Sequence, residues 1–292
     1  KGTLKATAYY EGREVGSAET ESFGGVAILS IKLAEKHLWE VGNGRLYDLV
    51  LTYGEDTVKS YFGLRTVQLD GYRFLINGKS VFQRLVLDQG FYKKGIYTAE
   101  TEEELVRDIY LSLDAGFNGA RLHEKVFEER FLYHADRLGY IVWGEFGDWG
   151  IDHTEPDAIH HILPQWIEAV NRDFNHPSII GWIPFNETWD IDDVRQNNAI
   201  IEAVYYLTKA HDQTRPCIDA SGGVHVVADI FDTHDYTQNV DEFKKLNPTL
   251  ASKANIEALE IEREELIKQV EKEHEYQQTA KAASQKAEED LA

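Results

Sequence analysis

The chain has 292 residues, 42% hydrophobic and 28% charged, the composition of a folded globular protein long enough for one large domain or two smaller ones. Its net charge of -21 argues against nucleic acid and anionic membrane surfaces as partners, since both require basic patches. The single Cys217 excludes an intrachain disulfide framework, and there is no zinc-type Cys/His spacing, bilayer-length apolar stretch or signal-peptide pattern. No metal and no cofactor is expected, and a cytoplasmic location is slightly favoured. A chain that starts at Lys1 and contains no Met is expected to be a fragment or an engineered chain.

Residues 1–66 read as all-β. "TLKATAYY", "GVAILSIKL", "RLYDLVLTYG" and "TVKSYFGL" combine β-rich composition with partial alternation, punctuated by Gly, Asn and Asp. A complete immunoglobulin-like sandwich takes about seven strands in about 100 residues, so this stretch is expected to be the end of one.

From residue 67 the rhythm changes. "YRFLINGKSVFQR" is two apolar runs joined by Asn77-Gly78, a type I′ hairpin signal. Strand-like and helix-like segments then alternate. "RLVLDQG" precedes "TEEELVRDIYLSLDAG", where Thr101 and Glu104 are spaced as a capping box. Leu105, Ile109 and Leu113 make the apolar stripe there, and Gly116 the stop. "NGARLH", "YIVWGEFG" and "SIIGWIPFNE" each precede a helical pattern, and "PCIDAS" and "DIFDTHDY" follow. Repeated β–α units imply a parallel sheet with helices outside, and strands apolar on both parities fit burial of both faces.

Polar residues gather at the C-terminal ends of these strands: Asp88 and Gln89, Arg121 and His123, Glu145, Asn186 and Glu187, Asp219 and Ser221, His234 and Asp235. A doubly wound sheet would decorate only the strands near its switch point, whereas a (β/α)₈ barrel aims every strand at one mouth. Six successive decorated ends favour the barrel.

Beyond residue 249 the texture changes again. The segment 249–292 has no Gly or Pro and is dense in Ala, Glu, Lys and Gln. Ile256, Leu259, Leu266 and Val270 fit a heptad seam that Arg263, Glu273 and Gln277 interrupt. It reads as a helical tail able to mediate self-association. The organisation expected is therefore a partial immunoglobulin-like sandwich over 1–66, an incomplete (β/α)₈ barrel over 67–248 and a helix over 249–292.

Together "FGLRTVQLDGYRFLINGKSVFQR", "DAGFNGARLH", "LGYIVWGEF", "NHPSIIGWIPFNE" and "TRPCIDAS" resemble the family 2 glycoside hydrolases, the β-galactosidase and β-glucuronidase group. The resemblance runs from about residue 40 to 245 and implies a retaining β-glycosidase acting on a β-glycoside or oligosaccharide. On that resemblance Glu187 is the general acid/base, Asn186 binds the sugar 2-hydroxyl, and Arg121 sits beneath the site and holds the nucleophile ionised. Trp182 or Trp189 would supply an apolar wall that raises the carboxyl pKa of Glu187. Asp88, His123 and Glu145 are candidates for sugar hydroxyls or support, and Trp149 and Tyr236 for stacking. His234 and Tyr236 join them because the sixth strand is expected to end there.

Each of these has a plainer alternative: helix capping for a strand-end carboxylate, an ion pair for Arg121, packing for the tryptophans. His160, His161 and His176 read as helix-surface or loop histidines. The resemblance also breaks. A retaining glycosidase needs two carboxyls about 5–5.5 Å apart, and the family takes its nucleophile from a seventh strand that is not found after "HDYTQNVDEFKKLNP". Glu145 is the other strand-end Glu. A non-catalytic carbohydrate-binding or oligomerising scaffold is therefore the alternative function.

Overall fold

The computed structural model describes residues 1–189 and 191–246 and divides the chain into two compact units, Lys1–His234 and Asp235–Ala292. The expected tail helix over 249–292 lies outside the described residues.

The first unit opens with β1 (Gly2–Tyr10), β2 (Arg13–Ser22), β3 (Tyr47–Tyr53) and β4 (Asp56–Phe62), one antiparallel sheet in the order β2-β1-β3-β4. Its buried face is built on Ala8, Val15 and Tyr47, against which Ile31, Leu33 and Phe62 pack. "GVAILSIKL", expected as a strand, is not one. Its β-branched composition favours extended backbone, but a strand also needs a neighbour to complete its ladder. Here Val26 and Ile28 are exposed, and the segment is tied down near its end by Ala34 N donating to Val15 O at 2.8 Å.

β5 (Val67–Asp70), β6 (Arg73–Ile76) and β7 (Lys79–Ser80) form a small antiparallel sheet. Asn77 and Gly78 take φ of 53° and 75°, the left-handed pair that a type I′ turn requires. The Asn77 amide also ties this hairpin to the residues before it, accepting from Thr66 N and donating to Trp39 O, both at 2.9 Å.

Next comes the β–α alternation. β8 (Leu85–Asp88), α1 (Glu102–Asp114), β9 (Gly119–Leu122), α2 (Glu129–Leu138), β10 (Ile141–Glu145), α3 (Ala158–Asp173) and β11 (Ile179–Ile183) build a parallel sheet in the order β11-β10-β9-β8. Pro184 has no N–H for the ladder, and the chain resumes as β12 (Phe185–Asn186). After α4 (Asn198–His211), β13 (Ala220–Ser221) pairs in parallel with β12. Trp182 N to Pro216 O and Ile218 N to Trp182 O, at 3.0 and 2.9 Å, run this fifth strand position alongside β11. In the second unit, α5 (Val240–Leu246) is the element described.

Both sheet faces are covered. Ala120, Leu122, Val142, Trp182 and Phe185 pack with Ile109, Phe131, Ile162, Trp166 and Val204 on the helix side. Ile141, Trp143, Ile180, Ile183 and Ile218 pack on the inner side with Phe74 and Ile76 of β6 and with Trp39. A Cβ at Gly181 would lie 2.1 Å from the Trp143 ring, so the inner core takes its indole only because residue 181 has no side chain.

Three further expectations need correction. "DIFDTHDY" is not a sixth strand, because aspartate side chains take over ladder positions. Asp229 Oδ2 accepts from Cys217 N at 2.8 Å and Asp232 Oδ1 from Gly222 N at 2.9 Å. The Thr101/Glu104 capping box does not close: Thr101 makes no side-chain cap bond, and Glu104 reaches Glu100 N at 2.7 Å instead. Trp182 is no wall for Glu187. Its indole packs on the helix side and donates to Asp212 Oδ2 at 2.8 Å.

The lower part of the barrel is held to the residues before it by specific bonds. Trp39 Nε1 donates to Asp136 O at 2.6 Å, Tyr61 OH to Asp136 Oδ2 at 2.8 Å, and Arg65 Nε to Pro177 O at 2.9 Å. His176 Nδ1, 2.6 Å from Asp136 Oδ2, fixes the loop before β11.

Candidate active site

The parallel ladder ends at Glu187, whose N–H donates to Ser221 O at 2.8 Å. There the backbone turns to φ 49°, a left-handed conformation uncommon outside glycine and often found at functional positions. The turn swings the carboxylate to the strand mouth, where Glu187 Oε1 lies 2.6 Å from His234 Nδ1. The imidazole itself lies against Gly222, where a Cβ would fall 2.2 Å from the ring.

Arg121, at the end of β9, is the hub. Its Nε and Nη2 donate to both oxygens of Glu145 at 2.6 and 3.0 Å, a bidentate pair. Nη2 also donates to Asn186 Oδ1 at 2.6 Å, and Nη1 to His234 Nε2 at 2.9 Å. A guanidinium can only donate, so His234 Nε2 accepts and the ring hydrogen sits on Nδ1, facing Glu187. Asn186 is buried, with its oxygen fixed by Arg121, while its Nδ2 has no acceptor among the described residues. A donor held in this way suits a hydroxyl on a bound ligand.

The surrounding groups set the electrostatics. Burial pushes the Glu145 carboxyl up to about 7, against the opposing pull of Arg121. Burial, then the charge of Arg121, holds His123 down at about 4, so it is a neutral group at neutral pH. His123 Nδ1 is 3.0 Å from Gln89 Nε2, and its ring meets Trp149 edge-on at 5.8 Å. Trp149 is exposed beside it.

Asp88 spends its carboxylate on the turn after β8, accepting from Gly90 N at 2.8 Å, and burial raises its pKa. Tyr236 belongs to the second compact unit, where it is exposed. Trp189 is also exposed. Among the described residues no group of three or more His, Cys, Asp and Glu side chains is arranged to hold a metal ion.

The family model for glycosyl hydrolases family 2, TIM barrel domain, matches residues 67–280, well over half the chain. The chain belongs to glycosyl hydrolase family 2. Mouse β-glucuronidase is 29% identical over 229 residues, covering 70% of this chain and 33% of the relative. A β-galactosidase of Photobacterium profundum is 25% identical over 223 residues, covering 72% and 21%. This chain thus spans about a third or less of these curated relatives. Among solved structures, a Ruminococcus gnavus β-glucuronidase bound to an N1-substituted uronic isofagomine superposes with a TM-score of 0.65 at 24% identity, covering 76% of this chain and 38% of that one. The Parabacteroides merdae β-glucuronidase gives 0.67 at 21%, covering 85% and 34%. At these identities the likeness is one of fold.

Within this family 2 chain, sequence reasoning passed over one group and, apart from Asp219 and Ser221, a second. Glu124, at φ 54°, accepts from Trp149 N at 3.1 Å, and the buried Asp148 accepts from Asn186 N at 2.9 Å. Burial and the neighbouring Glu124 hold the Asp148 pKa well above the usual carboxylate range. The second group is an ion cluster. His225 Nδ1 lies 2.6 Å from Asp219 Oδ1 and its Nε2 lies 3.1 Å from Asp232 Oδ1, which raises its pKa to about 10. Asp232 in turn accepts from Ser221 Oγ at 2.6 Å, and that Oγ is 3.2 Å from His234 Nε2. This cluster anchors the strandless segment that carries His234. Its one signal in the sequence was the density of Asp and His across 219–234.

Proposed function

We propose that the chain carries the acid/base half of a retaining β-glycoside hydrolase of carbohydrate metabolism, with Glu187 as general acid/base on terminal β-linked sugars. The supporting observation is the Glu187 carboxylate at the mouth, oriented by His234 and joined through Arg121 to Asn186 and Glu145. In this reading Glu187 gives its proton to the glycosidic oxygen as that bond to the anomeric carbon breaks and a second carboxylate, not supplied by the described residues, bonds to that carbon. Glu187 later takes a proton from the water that displaces that carboxylate from the same carbon. Asn186 Nδ2 donates to the 2-hydroxyl, His123 serves the sugar as a neutral partner, and Trp149 offers a stacking face. Arg121 and Glu145 hold the cluster in register. β-Glucuronides and β-galactosides, named for the relatives, are the first substrates to try. The same proposal takes 1–66 as the end of an immunoglobulin-like domain and 67–248 as the barrel.

One observation favours a second reading, sugar binding without turnover or an oligomerising scaffold. A two-carboxylate mechanism needs a partner for Glu187, and Glu145 is poorly placed to serve. Its side chain is buried, doubly bonded to Arg121, and also accepts from Glu124 N at 3.0 Å.

The test is turnover of chromogenic β-glycosides by this chain beside Glu187→Gln. Loss of about 10²- to 10⁴-fold in kcat/KM in the variant supports the first reading. Sugar affinity with no turnover by either protein supports the second.

A further inference from the structure

The ladder between β10 and β11 ends with Phe146 N donating to Ile183 O at 3.1 Å. Two residues on, a side chain takes the next place, where Asp148 Oδ1 accepts from Asn186 N at 2.9 Å. Asn186 is thereby held at two points, its backbone by Asp148 and its side-chain oxygen by Arg121. Glu187 follows it directly.

What holds Asp148 is less ordinary. It is 1% exposed, and its carboxyl lies within hydrogen-bond reach of a second carboxyl, that of Glu124. Glu124 Oε2 accepts from Trp149 N at 3.1 Å, while Glu124 Oε1 is shut off from solvent and finds no N–H donor among the described residues. The two loops also pass closely: a Cβ at Gly147 would fall 2.8 Å from Glu124 O. Ionised carboxylates are acceptors only, so two of them bond to each other only when one carries a proton. A proton on Asp148, donated to Glu124, satisfies the orphan oxygen and removes one of two like charges from a buried site. Burial of Asp148, then the Glu124 carboxyl and the charge of Glu145, favour that proton.

We propose that Asp148 and Glu124 share one proton at neutral pH and together position Asn186 and Glu187 for a ligand, so that removing the proton loosens the mouth and weakens binding. The positioning role rests on the reading of the Glu187 cluster as a sugar site; the shared proton does not. The pair joins three strand ends, through Glu124 after β9, Asp148 after β10 and Asn186 of β12, and Glu124 N also donates to Glu145 Oε1 at 3.0 Å. With the proton gone, two like charges face each other in this junction, and their repulsion drives Asp148 off the line of its bond to Asn186 N. The charged and titratable groups that face the pair and Asn186 are Arg121, His123, Glu145, Tyr97, Glu187 and His234. All six stay in place in the variants that test the proposal, so their titrations are common to every arm.

Asp148→Asn separates the proton from the shape. The amide keeps an acceptor for Asn186 N and puts an N–H that does not titrate in place of the shared proton. Glu124→Gln makes the same exchange from the other side. Aspartate labelled with carbon-13 at the side-chain carboxyl reads the proton directly by NMR. The Asp148 resonance, identified by its loss in Asp148→Asn, is expected at its protonated position at pH 7 and to move as pH rises. An ionised position at pH 7 overturns the shared proton, whether or not any sugar binds. Calorimetry on the full chain with methyl β-D-glucuronide and methyl β-D-galactoside reads the consequence. Across the pH range in which that resonance titrates, affinity is expected to fall about ten-fold in the unaltered chain and less than about two-fold in either amide variant. An equal fall in all three proteins, or none in the unaltered chain, overturns the positioning role. Failure of the unaltered chain to bind either glycoside at any pH overturns the sugar-site reading and the positioning role with it, while the carboxyl resonance still decides the proton.

Discussion

At the scale of single residues, Arg121 shows how much one planar cation can fix. Its fork satisfies both oxygens of Glu145, one of Asn186 and one nitrogen of His234. Arg121→Met would leave Glu145 buried without its partner. A loss of about 3–5 kcal/mol in urea unfolding is expected, larger than any solvent-exposed ion pair would give. His123 offers a sharper check. With its pKa held near 4 by burial and by Arg121, its imidazole resonances should be flat in NMR from pH 8 to 5 and move only below that. A midpoint near the ordinary value of 6.5 would mean that neither burial nor the guanidinium acts on it as described. His225 carries the opposite shift. Its pKa rises from 6.5 to about 10 because Asp219, then Asp232, favour its charged form. The stabilisation is therefore fully present below pH 6.5 and is lost as pH rises towards 10. Thermal unfolding should fall across that window, and His225→Gln should be less stable at pH 6 yet much less sensitive to the climb.

At the scale of elements, β11 and β12 show why the run "IIGWIPFNE" is written as it is. Ile180 and Ile183 face the inner core, Trp182 and Phe185 face the helices, and Pro184 interrupts the ladder just before the mouth. Gly181 is the tightest fit in the run. Gly181→Ala should cost about 1–3 kcal/mol in chemical denaturation, because the new methyl meets the Trp143 ring and neither strand can retreat. The parallel strands were legible because both parities are apolar and each run ends in polar residues. The segment 229–236 was not. Its alternation resembles a strand, but Asp229 and Asp232 cap backbone N–H groups, and such a choice depends on partners in β13 and before it. "GVAILSIKL" failed for a related reason: composition favours an extended chain without naming its neighbour.

At the scale of the molecule, the motifs located Glu187, Asn186 and Arg121 because barrels concentrate polar side chains at strand ends. They could not reveal that His234, 47 residues from Glu187, would lie against its carboxylate, since that contact is made by a segment with no period. The bonds from Trp39, Tyr61 and Arg65 to the lower barrel, and from Asn77 back to Trp39, have a practical consequence. They make residue 66 a poor place to cut. A barrel released there would lose the indole that seals its inner core and the donor on the Pro177 carbonyl, directly before the strand that leads to Glu187. Limited proteolysis should accordingly spare this junction, and gene fusions or domain exchanges that break the chain at that point should yield aggregates, whereas those that carry the preceding sheet along should yield soluble protein.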